Sequence, residues 1–158
     1  MPRAVVITCS NRASSGVYSD RSGPVLVAAL RDWGFDTDDA VVVPDGDPVG
    51  VALRAAVADG VELVLTTGGT GLSPTDHTPE QTAPLLDREV AGIPQALRAA
   101  GVAKGVPTAV LSRGLAGVSG RTLIVNLPGS TGGVKDAVEV LAGVIPHAVA
   151  QLRGGGAH

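Results

Sequence analysis

The chain is poor in aromatic residues: Phe, Trp and Tyr together make up 2% of it. Its core therefore has to be built from Val, Leu, Ile and Ala. The same scarcity argues against nucleic-acid binding by base stacking, which needs aromatic platforms. Blocks of Lys and Arg are also missing and the formal net charge is −3. An electrostatic footprint for DNA, RNA or an anionic membrane is thus lacking. The single cysteine, Cys9, excludes an internal disulfide and any multi-thiolate metal site. No stretch approaches the roughly 20 apolar residues that span a bilayer. The apolar run in MPRAVVITCS is too short for the core of a signal peptide. A cytoplasmic location without nucleic-acid or membrane contact is the expectation.

What is present suits one domain. A chain of 158 residues, 44% hydrophobic and 17% charged, can bury a core without disulfides or metals. Apolar runs of strand length alternate with segments of helical period, the pattern of an α/β domain with a mostly parallel sheet. Residues 3–9 (RAVVITC) predict a buried first strand, because a β-branched run without alternation suits a strand covered on both faces. Residues 20–34 predict a helix with Val25, Leu26, Ala29, Leu30 and Trp33 on one face, ended by Gly34. A strand over about 36–43 stops at Pro44, a helix covers about 49–59, and 61–67 (VELVLTT) is the third strand. Thr78 is then expected to cap a helix, with Pro79 at its first position and Gln81 as capping-box partner. A further helical piece lies around 94–100. Residues 107–112 and 121–127 (RTLIVNL) read as two strands separated by a Gly-containing turn. The last helix opens near Gly132 with Val134, Val138, Leu141, Ile145, Val149 and Leu152 as its apolar stripe. Pro146 within that stripe predicts a kink or a break. Residues 1–153 make up the domain, and 154–158 (GGGAH) read as a flexible tail with no fold role.

Ligands of open α/β sheets bind beyond the carboxyl ends of the strands. The loops there are 10–12 (SNR), 44–46 (PDG), 66–76, 112–114 (SRG) and 126–133 (NLPGSTGG). The strongest is 66–71 (TTGGTG). Its three glycines let backbone N–H groups point inward and a phosphate approach without a Cβ in the way. Thr67 and Thr70 offer hydroxyl donors. No Lys-Ser/Thr follows, so this is not a Walker loop, and the spacing is not the dinucleotide fingerprint. A ligand-free strand-to-helix turn fits the spacing equally well. Asp45 and Asp76 each follow a strand, and two carboxylates at one sheet edge suit Mg²⁺ held through waters and phosphates. Alternatively, Asp45 shapes the PDGD turn and Asp76 precedes a helix N-terminus, where negative charge is favourable. Ser112 with Arg113 suits a charged or polar ligand, while a surface ion pair is the commoner use of such an arginine. The 126–133 loop is either a second anion site or a proline turn that starts the last helix. Cys9 reads as a small core residue and His77 as a surface residue near a helix cap. With His147 in the last helix and His158 in the tail, the histidines do not assemble a zinc site.

Taken together, DRSGP at 20–24, PDG at 44–46, TTGGTG and then SPTDHTPE within 66–80, LSRG at 111–114 and NLPGS at 126–130 form one ordered set. In order and spacing they resemble the Mog/MoaB-type family of molybdenum cofactor biosynthesis, molybdopterin adenylyltransferases related to the G domain of gephyrin. The resemblance runs through nearly the whole chain. It implies a three-layer α/β/α molybdopterin-binding fold with a mostly parallel central sheet. It also implies a Mg²⁺-dependent nucleotidyltransferase that moves AMP from ATP to the phosphate of molybdopterin and releases pyrophosphate. By motif position Asp45 and Asp76 would be the catalytic and metal-binding acids. Thr67, Gly68, Gly69, Thr70 and Gly71 would hold the nucleotide phosphates, and Ser112, Pro128, Gly129 and Ser130 the pterin. A homotrimer that hands its product to the molybdenum insertion enzyme is implied as well. Two departures stand out: Asn11 follows Ser10 where many relatives carry Asp, and Gln95 stands where many carry an acidic residue. A non-catalytic molybdopterin-binding paralogue is therefore a second reading. A hydrolase or nucleotide-processing domain is a third, since fold alone does not set chemistry.

Overall fold

The computed structural model describes residues 1–155, in which six strands form one sheet with helices on both faces. The strands are β1 (Ala4–Cys9), β2 (Val41–Val43), β3 (Leu63–Thr67), β4 (Arg88–Glu89), β5 (Ala116–Ser119) and β6 (Thr122–Leu127). The helices are α1 (Asn11–Ser14), α2 (Ser22–Asp32), α3 (Asp47–Ala58), α4 (Thr78–Thr82), α5 (Gly92–Ala103), α6 (Thr131–Ala142) and α7 (Ile145–Leu152). The strand order is β2-β1-β3-β6-β5-β4. The first four run parallel, and β5 and β4 add an antiparallel edge.

The apolar runs become central strands because both of their faces are covered. Val6, Leu65, Leu123 and Val125 pack with α2, α6 and α7 through Leu26, Leu30, Val134, Leu141 and Ile145. Their neighbours Ile7, Cys9, Val64 and Ile124 point the other way, onto Val49, Leu53 and Ala56 of α3. That two-residue alternation divides the core into two layers. Each fully buried Leu or Ile contributes about 1.5–3 kcal/mol.

Register brings the strand ends into line. Cys9 pairs with Val43, Thr8 with Thr67, and Thr67 with Leu127. The loops that follow β1, β2, β3 and β6 therefore leave one edge of the sheet together. Because β1 has β2 on one side and β3 on the other, the strand order reverses there, which opens a crevice between the loops.

Several expectations need correction. Residues 107–111 form a 3₁₀ turn and not a strand, and the missing strand is β5, inside the segment read as a turn. Pro107 has no N–H to give a ladder, whereas Ala116–Ser119 finds a ready antiparallel partner in β6. The second strand is confined to Val41–Val43, with Asp36 making only an isolated bridge to Arg3. Thr78 does not cap α4: its hydroxyl donates to the Gly68 carbonyl at 2.9 Å, and Gln81 donates to Asp47 instead. The stripe of the last helix does break. α6 stops at Ala142, and Pro146 falls in the first turn of α7, where a missing N–H is harmless. Gly154 and Gly155 close α7 by donating to the Gln151 and Ala150 carbonyls at 2.9 Å each, so they do have a fold role. Residues 156–158 of the expected tail, with His158, lie outside the described residues.

Candidate active site

The glycine loop after β3 turns sharply because Gly68 and Gly69 have φ of 97° and 69°, a region that disfavours any side chain. It is held from several sides. Gly68 N–H donates to the Leu127 carbonyl at 3.0 Å, and the Thr67 hydroxyl donates to the Pro128 carbonyl at 2.6 Å. Thr78 N–H donates to the Gly69 carbonyl at 3.1 Å. A Cβ on Gly129 would lie 3.2 Å from the Gly68 Cα, so the two glycine-rich loops abut backbone to backbone. The Thr67 hydroxyl is consequently not a spare donor. The N–H groups of Gly69, Thr70 and Gly71 have no acceptor among the described residues and can bind an anion.

One carboxylate lies against each of the next two glycines. A Cβ on Gly69 would be 3.0 Å from Asp45 Oδ1, and one on Gly71 would be 2.9 Å from Asp76 Oδ2. Asp76 Oδ2 also accepts from Ser73 N–H at 3.1 Å, a local turn that fixes the side chain. Asp45 Oδ2 accepts from Asn11 N–H at 3.3 Å, while Asp45 Oδ1 is buried with no hydrogen-bond partner. Burial pushes the Asp45 carboxyl above the ordinary carboxylate range, the Asn11 N–H opposes this, and the Asp76 charge adds to it. A buried oxygen without a partner is costly, and a divalent cation would satisfy it. No group of three or more His, Cys, Asp or Glu side chains able to hold a metal occurs among the described residues. Two carboxylates with phosphates completing the shell is the manner of Mg²⁺.

The loop is a ridge between two cavities. The first, of about 540 Å³, has Asp45, Asp76, Thr67, Gly68, Gly69, Gly129 and Ser130 in its wall. The second, of about 570 Å³, is lined by Thr70, Gly71, Ser112 and Pro128 and by Leu97 and Ala109. Ser130 and Gly132 border both. Ser130 caps α6 by accepting from Gly133 N–H at 3.1 Å, so the start of that helix faces the junction. The phosphate-loop residues thus divide between the cavities, as do those assigned to the pterin. Gln95 is exposed on α5 and lines neither cavity, whereas Asn11 lines the first.

Asn126 and Asp20 had no individual role assigned from sequence, whereas Arg113, read there as a ligand contact or a surface ion pair, forms the ion pair. Arg113 donates from Nε to the Gly71 carbonyl and from Nη2 to the Asp76 carbonyl, both at 2.9 Å, and pairs with Glu80 at 2.7 Å. It braces the loop that carries Asp76. Chiefly through that hydrogen bond it also holds the Glu80 carboxyl below its usual range. Asn126 is buried and donates to the hydroxyls of Thr66 at 3.0 Å and Thr82 at 3.1 Å, locking β6 to β3 and to the end of α4. Asp20 accepts from the Thr8 hydroxyl at 2.8 Å and from Gly23 N–H at 3.0 Å, fixing the start of α2. The DRSGP and LSRG motifs carried the signal for Asp20 and Arg113, but their partners are remote in sequence.

Residues 5–147 match the family described as "Probable molybdopterin binding domain". A molybdenum cofactor biosynthesis bifunctional protein of Chlorobaculum tepidum is 40% identical over 157 residues, covering 98% of this chain and 50% of that protein. The chain thus spans about half the length of the bifunctional relatives that it matches. The molybdopterin adenylyltransferase of Helicobacter pylori strain J99 is 33% identical, over 94% of this chain and 86% of that one. Among solved structures, the molybdopterin biosynthesis Mog protein from Mycobacterium ulcerans is 53% identical with a TM-score of 0.92, covering 96% and 99% of the two chains. With the family match spanning most of the sequence and the whole sheet shared with a Mog structure, the chain belongs to the Mog/MoaB family of molybdenum cofactor biosynthesis.

Proposed function

We propose that the protein is a molybdopterin adenylyltransferase that transfers AMP from ATP to the phosphate of molybdopterin and releases pyrophosphate. The observation that carries this reading is the pair of cavities that share Ser130, with both acids in the wall of the first and the open N–H groups of the glycine loop divided between the two. In the reaction an oxygen of the molybdopterin phosphate forms a bond to the α-phosphorus of ATP. The bond from that phosphorus to the bridging oxygen breaks, and its electron pair leaves on pyrophosphate. No covalent enzyme intermediate is needed, so positioning and charge neutralisation are the protein's task. The N–H groups of Gly69, Thr70 and Gly71 would receive the phosphates, and Ser112, Pro128, Gly129 and Ser130 would line the pterin side. Asp45 and Asp76 would hold Mg²⁺, whose charge would offset that of the phosphates.

The supporting experiment measures pyrophosphate release from ATP, with Mg²⁺ and molybdopterin each present or omitted. Release should need both, and Asp76→Asn should abolish it while leaving the fold intact, because Asn keeps an acceptor for Ser73 N–H. Molybdopterin binding without pyrophosphate release would instead favour the non-catalytic paralogue, the reading that Asn11 in the first cavity supports. We further propose a homotrimeric, cytoplasmic enzyme whose product passes to a molybdenum insertion step. Light scattering on the purified chain tests the trimer.

A further inference from the structure

We propose that Arg12 and Arg21 form a clamp for the pyrophosphate end of the nucleotide and for the pyrophosphate that departs. The identity of the ligand rests on the adenylyltransferase reading, but the cationic pair does not. Among the described residues, Arg12 and Arg21 are the only Lys or Arg side chains in the wall of the first cavity. Neither guanidinium has a hydrogen-bond or ion-pair partner among the described residues; the ion pairs there use Arg3, Arg31, Lys104 and Arg113. The second cavity differs. Its cations are engaged, Lys104 with Glu139 at 2.7 Å and Asp136 at 3.5 Å, and Arg98 with the Ser112 carbonyl at 3.3 Å. Of the two cavities, the one that also holds Asp45 and Asp76 is therefore the one whose wall carries uncommitted positive charge among the described residues.

Local structure presents both arginines to that cavity. Ser10 caps α1 by accepting from Ala13 N–H at 3.1 Å, which sets Arg12 in its single turn. Asp20, spent on Thr8 and Gly23, anchors the chain immediately before Arg21. A triphosphate carries more negative charge than one divalent cation offsets, and the three acids in this wall, Asp20, Asp45 and Asp76, would otherwise repel it. Guanidinium forks match phosphate oxygens geometrically and stay charged at every working pH. As the bond to the α-phosphorus breaks, the electron pair collects on the pyrophosphate oxygens, where the clamp stabilises it most.

Calorimetric titration of the full chain with Mg²⁺ and inorganic pyrophosphate, without molybdopterin, tests this assignment. Arg12→Gln and Arg21→Gln should each weaken binding about tenfold, near the lower end of what a hydrogen bond to a charged group contributes. The double variant should lose it, while Arg12→Lys and Arg21→Lys keep part of it. Melting temperatures should not move, since neither side chain has a partner to lose. Arg121→Gln, in the turn between β5 and β6 at the other end of β6 from the glycine loop, should bind as the wild type does. Undiminished binding in the double variant, or a wild type that binds no pyrophosphate, overturns the clamp. The outcomes are separable from those for the transfer reaction. Lost binding in the variants beside a wild type that transfers no AMP sinks only the enzyme reading. Unchanged binding beside intact transfer sinks only the clamp.

Discussion

Asn11 and Asp45 hold each other through two reciprocal hydrogen bonds: Asp45 N–H donates to Asn11 Oδ1 at 3.0 Å, and Asn11 N–H donates to Asp45 Oδ2 at 3.3 Å. The loops after β1 and β2 are joined by this pair, which turns the second carboxylate oxygen of Asp45 inward. Asn11→Ala should cost about 0.5–1 kcal/mol of stability and lower transfer activity further than that loss explains, because the Asp45 backbone N–H loses its acceptor and only the Asn11 N–H still joins the two loops. Asn11→Asp keeps an acceptor for Asp45 N–H and should retain the fold while adding a negative charge beside the site. Urea melts and a Mg²⁺ titration of activity separate the two variants. Equal activity in wild type and Asn11→Ala would remove the positioning role.

Gly69→Ala tests the ridge. Its Cβ would meet the Thr78 hydroxyl and come within 3.0 Å of Asp45 Oδ1, at a φ of 69°. The left-handed backbone alone costs roughly 1–2 kcal/mol for a residue with a Cβ. The expected result is a lower melting temperature together with loss of nucleotide binding. Gly143→Ala, with open space around its Cβ, should leave binding untouched.

Arg113 should not tolerate lysine. One ammonium cannot reproduce bonds to the Gly71 carbonyl, the Asp76 carbonyl and the Glu80 carboxylate at once. Because Arg113 and Glu80 are both substantially solvent-accessible, their ion pair adds little stability. Arg113→Lys is therefore expected to melt near the wild-type temperature yet bind Mg²⁺–ATP about tenfold more weakly through the loosened Asp76 loop. A variant with wild-type nucleotide affinity would refute the bracing role.

Cys9 should be inert in the folded protein. Burial pushes its thiol from 9.0 up to about 12, and it is the thiolate that reacts. At pH 8 a thiol reagent should label no native protein and one residue per chain in denaturant. The same shift links stability to pH. The folded state holds this proton more tightly than the unfolded state, so the contribution is complete below about 9 and is lost as pH rises towards 12. Cys9→Ala should flatten that alkaline decline in a pH series of melts.

Sequence alone was enough for the features whose causes are local. The runs in β1, β3 and β6 are apolar over most of their length because both sheet faces are covered, and such runs announce themselves. Glycines after β3 and the loop acids were equally legible, since only glycine suits the turn and the polar residues cluster at strand ends. What tertiary structure decided depends on partners far apart in the chain. β5 (AGVS) has weak strand character of its own and exists because β6 offers an antiparallel edge, whereas the more apolar 107–111 has no such partner and winds into a 3₁₀ turn. Thr67 looks like a donor for a ligand and Thr78 like a helix cap until carbonyls from the neighbouring loops take their hydroxyls. The orphaned oxygen of Asp45 and the division of one glycine loop between two cavities arise where chain ends from β1, β2, β3 and β6 converge. Residue types and spacing supplied the chemistry, and long-range packing determined which of those groups remain free to use it.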